Sequence, residues 1–147
     1  MLKLKADVSG RRRLVPRRCA LYSIAGKGKQ NLKIVALQSG TGLCFRHVAL
    51  TEGPWERMRG FLGLKGFPVG QIMWFRPCSA IHTFFMRFSI DVVFLNRDLV
   101  VTDIRIGVKP WRMVFGSRDS FSVLEAQTGW LDPASIVIGM RLELSGH

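Results

Sequence analysis

His82, Asp91 and Glu125 are the groups of this 147-residue chain whose types and surroundings could do acid–base chemistry. Asp91 sits in the apolar run Ile90–Leu95 and could orient the imidazole of His82, as carboxylates orient catalytic histidines. Thr83 or Ser79 would supply a hydroxyl beside it. Such a pair fits a small hydrolase or isomerase. The structural reading of the same residues is that His82 and Asp91 satisfy each other, or backbone groups, inside a sheet. A carboxylate among hydrocarbons must find a cation or several N–H donors, or take up a proton. No nucleophile elbow, glycine-rich phosphate loop or paired metal motif accompanies these residues.

A second group points to binding. Lys109 and Arg112 flank Pro110–Trp111. A rigid aromatic with two cations beside it suits an anionic or planar group. Glu125, in an otherwise apolar strand, could pair with Lys109 or Arg112. The competing reading folds Trp111 back onto the core and leaves its neighbours in water. Metal binding is disfavoured by distance. Cys78 and His82 are four residues apart, about 13 Å of extended chain, while two ligands of one zinc ion lie a few ångströms apart. Nothing in the spacing ties His47 to them. No metal and no cofactor are expected.

The elements that must position these residues are mostly strands. Ala80–Met86 and Ile90–Leu95 are dominated by β-branched and aromatic residues, which predicts two strands joined by a turn at Arg87–Ser89. With no polar face, the run reads as buried on both sides. Further strands are expected over 31–37, 43–50, 71–75, 99–106, 121–126 and 137–144. Ser39–Gly42 reads as a hairpin turn, 65–70 and 107–117 as irregular, and 128–135 as a turn or one short helix. One amphipathic helix is expected over 54–62, with Pro54 in its first turn, Trp55, Met58, Phe61 and Leu62 on one stripe, and Gly63 closing it. Short strands without alternating helices predict a mainly β domain, a sandwich or barrel of seven to eight strands with one short helix.

Charge is uneven. Residues 1–33 hold ten Lys or Arg and one acid, Asp7, for +9; the remainder holds twelve and nine, for +3. Residues 1–30 therefore read as a basic, disordered leader, and 31–147 as a single domain. The leader offers weak contact with nucleic acid or an anionic membrane, although no nucleic-acid motif accompanies it. Arg17 and Arg18 interrupt any secretory apolar segment, and no run is long enough to span a membrane. Three scattered cysteines with no C-x-x-C pair fit a reducing, cytoplasmic compartment.

Five segments in order carry a family resemblance: Pro54–Gly63, Ile81–Phe88, Ile90–Leu95, Lys109–Arg112 and Val123–Glu125. They resemble domain-of-unknown-function family 192, small domains of bacteria and archaea, over about Asn31 to Leu144. The resemblance implies a mainly β, sandwich-like fold with a short helix; it does not supply a function, because the family is uncharacterised. The chain departs from the family pattern in turns. Ser89 stands where Pro is frequent, Leu99 where a turn Gly is common, and Ala126–Gln127 where Leu–Pro is frequent. Taken together, the residues favour a non-enzymatic domain binding a small ligand or protein partner through His82, Thr83, Asp91, Lys109, Trp111, Arg112 and Glu125. The alternatives are the His82/Asp91 hydrolase or isomerase, and a nucleic-acid or membrane accessory acting through the leader.

Overall fold

A computed structural model describes residues 33–42, 44–51 and 71–145. The expected leader, the helix over 54–62 and the loop over 65–70 lie outside them. The described chain is mainly β. Nine strands are present: β1 Lys33–Ser39, β2 Cys44–Thr51, β3 Ile72–Phe75, β4 Ala80–His82, β5 Ile90–Leu95, β6 Val101–Val108, β7 Met113–Phe115, β8 Ser122–Gln127 and β9 Leu142–Leu144. No helix among the described residues is long and apolar enough to cross a membrane.

Seven strands form one sheet in the order β6-β5-β8-β3-β2-β1-β9. β1 and β2 make the expected hairpin, closed by a bond from Gly42 N to the Ser39 carbonyl, with Gly42 at φ +89°. β2 and β3 run parallel; the other ladders of this sheet are antiparallel. The sheet curls until its edges meet. Val100 bridges Arg141, Val101 N donates to Met140 O, and Gly139 N donates to Val101 O. Joining the edges protects backbone groups that an open sheet would leave free.

The curl creates an inside and an outside. Inside lie Leu37, Val48, Leu50, Trp74, Val93, Leu95, Val101, Leu124 and Leu142, from every strand of the sheet. Leu131 and Ile136 close this core; the segment 128–135 is a series of turns. Outside, Met73, Phe75, Val92, Phe94 and Val123 form a second core. It is covered by Ile81 of β4 and by Met86, with Val114 of β7 packed alongside. β4 and β7 form a separate two-stranded sheet over this outer face. All six residues of β5 are buried, as expected for a strand covered on both faces.

The expected hairpin between 80–86 and 90–95 does not form. β4 stops at His82 and pairs with β7, while β5 pairs with β6 and β8. Two things end β4: Thr83 bonds to a distant loop, and Phe85 takes φ +64°, outside the extended region. The strand expected over 99–106 is displaced to Val101–Val108. β7 lies in a stretch expected to be irregular. The last strand is shortened to Leu142–Leu144 because Gly139, at φ +89°, turns the chain.

Ser122 is fully buried at the start of β8, aligned with the inward-facing Leu124 and Ala126. Among the described residues its hydroxyl has no hydrogen-bond partner. A buried hydroxyl of this kind destabilises by its lost hydration. Ser122→Ala should therefore leave unfolding stability in urea unchanged or raise it by up to about 1 kcal/mol. A loss of stability in that variant would contradict this packing.

Candidate functional site

Asp91 is fully buried at the second position of β5. By strand alternation it shares the inner face with Val93 and Leu95. Its carboxylate accepts one bond from Gly107 N, 2.9 Å, and one from Gly129 N, 3.0 Å. Gly107 belongs to β6, where the β5–β6 register slips between Ile90 and Val92. Gly129 follows β8, the other neighbour of β5. Both glycines have positive φ, +68° and +92°, which a side chain would resist. Charge-assisted bonds to both neighbours thus fix an irregularity in one strand and the turn after the other.

His82 lies elsewhere. It is exposed at the end of β4 and stacks on Phe84, ring centroids 5.2 Å apart. Among the described residues no hydrogen bond or ion pair joins His82 to Asp91; the ion pair formed there is Arg105 with Asp103. Glu125 is buried on β8 between Met73 and Val92, on the outer face with Val123. No ion pair to Lys109 or Arg112 forms among the described residues. Burial pushes the Glu125 carboxyl up to about 8, so it is mostly neutral at pH 7.

Thr83 brings the other site residues together. It is fully buried. Its hydroxyl donates to Lys109 O at 2.8 Å and accepts from Arg112 N at 2.9 Å. Its backbone N donates to Arg112 O, and its carbonyl accepts from Trp111 N and from Met86 N. One residue therefore joins the turn at Phe84–Phe85 to the bend at Pro110–Trp111. The result is a cluster of rings. Phe85 meets Trp111 edge-on at 4.7 Å, and Phe84 lies 6.0 Å from Trp111. Phe85 and Trp111 both hold left-handed backbone conformations, φ +64° and +61°. Bulky residues rarely do so without constraint, and such strain gathers at functional sites.

Trp111 does not fold back onto the core: it is 55% exposed, and Phe85 is 66% exposed. Lys109 and Arg112 are exposed beside it, with Arg112 Nη1 donating to Trp111 O at 3.1 Å. Sequence reasoning missed Phe84, Phe85, Met113 and Phe115. The alternation in Met113–Val114–Phe115 was the available signal, since it places Met113 and Phe115 on one face. Among the described residues no group of three His, Cys, Asp or Glu is placed to hold a metal ion. Cys78 donates its thiol hydrogen to Ala80 O at 3.1 Å.

A family model, that of DUF192, described as "Uncharacterized ACR", matches residues 35–144. A UPF0127 protein of Pyrococcus furiosus is 37% identical over 65 residues, covering 44% of this chain and 55% of that protein. A UPF0127 protein of Thermococcus sibiricus is 32% identical over 65 residues, covering 44% and 42%. The chain thus spans about half the length of the curated relatives it matches. A crystal structure from Sinorhizobium meliloti 1021, described as a candidate transcription regulator, aligns with TM-score 0.65 and 19% identity. It covers 80% of this chain and 98% of that one. A Novosphingobium aromaticivorans protein of unknown function aligns with TM-score 0.64 and 17% identity, covering 97% and 93%. At these identities the likeness is one of fold.

Two buried acids give opposite expectations. Asp91→Asn presents an amide NH₂ to one of two N–H donors, so stability should fall by about 1–3 kcal/mol in urea unfolding. An unchanged midpoint would contradict the bridging role. Glu125 is neutral in the folded chain but ionises near its ordinary 4.5 when unfolded. The unfolded chain binds fewer protons between those values, so stability falls as pH rises from about 4.5 to about 8, by a few kcal/mol. Glu125→Gln should flatten that dependence in urea melts at pH 5 and pH 8.5. An identical pH slope in the variant would contradict it.

Proposed function

The chain belongs to domain-of-unknown-function family 192, and we propose that its domain is a non-enzymatic binding module whose site is the Thr83-anchored ring cluster. The site comprises His82, Thr83, Phe84, Phe85, Lys109, Trp111 and Arg112. The observation that carries this reading is the pair Phe85 and Trp111, solvent-exposed in left-handed backbone conformations, in turns whose Met86 and Trp111 amides donate hydrogen bonds to a buried threonine. Rings fixed in advance lose little conformational freedom on contact, which favours binding. The cations beside them select a ligand or partner offering a flat or apolar group next to negative charge. Asp91 supports the site from within the sheet, since its bond to Gly107 N fixes the end of β6 that leads into Lys109–Arg112.

Trp111→Asn removes the ring, and Asn tolerates positive φ. Native mass spectrometry of the full chain, purified without a tag, should show a retained species on the wild type. The variant should lose it while its far-ultraviolet circular dichroism stays unchanged. Equal retention by both chains would contradict the assignment.

A further inference from the structure

The two-stranded β4–β7 sheet is inverted relative to most surface sheets. Its inward residues, Ile81 and Val114, pack on the outer core. Its outward residues on β7 should then be polar. They are Met113 and Phe115, 57% and 63% exposed. The register pairs Met113 with His82 and Phe115 with Ala80. Phe85 and Trp111, on the adjoining turns, continue the same apolar surface. Contiguous exposed apolar residues mark an interaction site.

The charge around this face is mainly positive, with Asp119 exposed beside Arg118. The segments that build it, 76–90 and 104–118, hold six Arg or Lys and no Asp or Glu. Arg105 is paired with Asp103, and Arg76 lies over the rings of Trp74 and Phe121. Arg87, Lys109, Arg112 and Arg118 are exposed and form no ion pair among the described residues. The occupant must therefore be apolar and anionic. It need supply few hydrogen bonds, because the amides of Thr83, Met86, Trp111 and Arg112 already donate within the protein. Protein interfaces carry about one hydrogen bond per 100–200 Å². An anionic bilayer needs none of these, and Trp with Arg and Lys suits the headgroup level while Phe and Met suit the acyl boundary.

We propose that the face formed by Phe85, Trp111, Met113 and Phe115, rimmed by Arg87, Lys109 and Arg112, docks on an anionic lipid bilayer. This rests on the binding reading above and names its partner. It differs from electrostatic attraction of the basic segment 1–33, which needs no ring.

The test uses the full chain with phosphatidylcholine vesicles, with and without phosphatidylserine. Wild type should float with the anionic vesicles, and brominated acyl chains should quench its tryptophan fluorescence. Phe85→Asn combined with Trp111→Asn should weaken flotation roughly tenfold or more and remove most of the quenching. Equal flotation and quenching in that variant would overturn the proposal and leave the basic segment as the sole contact. No flotation of wild type, together with a soluble ligand or acidic protein retained only by wild type in native mass spectrometry, would overturn the bilayer and keep the binding site. No difference between the chains in either measurement would remove both.

Discussion

Thr83 has no access to solvent, yet six hydrogen bonds from two other parts of the chain, Met86 and the 109–112 bend, meet on it. Its hydroxyl both donates, to Lys109 O, and accepts, from Arg112 N. A threonine hydroxyl can do both at once; valine, of the same shape, can do neither. Each backbone group thus satisfied would otherwise be a buried polar atom without a partner. The node therefore fixes where β4 ends and where the 109–112 bend lies. It also fixes how the rings of Phe84, Phe85 and Trp111 meet. Removing it would leave the curled sheet intact, because the sheet draws on neither segment for its inner core.

The sheet has its own fixing point in Asp91. Its position in β5, between β6 and β8, lets one carboxylate reach both flanking chains. The two acids that looked similar in sequence do different things for a physical reason. Asp91 faces two N–H donors, whereas Glu125 faces Met73 and Val92 and is held neutral by burial. Glu125 lies on the outer face with Val123, and the outer core there seats the small sheet bearing the candidate site.

Much of this was legible from residue types. The first hairpin, β3 and β5 follow from β-branched runs bounded by turn residues. That an acid in β5 would need donors follows from the cost of a bare carboxylate in hydrocarbon. The exposed tryptophan with flanking cations was also recognisable. The ring cluster as a whole was not. Thr83–Met86 has the composition of a strand, and its departure from extended backbone depends on Lys109 and Arg112, more than twenty residues away in sequence. Left-handed conformations at Phe85 and Trp111 carry no compositional signal, since neither residue favours them. Leu99 is the exception. A position where the family commonly has Gly holds Leu at φ +60°, so the departure from the pattern marked the strained turn. β7 was hidden because its alternation, though present, runs over only the three residues Met113–Phe115.

A single hydroxyl locks the two ring-bearing turns together. Amide hydrogen exchange on wild type and Thr83→Val tests it directly. Exchange should be faster at Arg112 and its neighbours in the variant, with protection of β5 and β8 unchanged. Unchanged protection at Arg112 would contradict it, and so would a uniform loss across every strand.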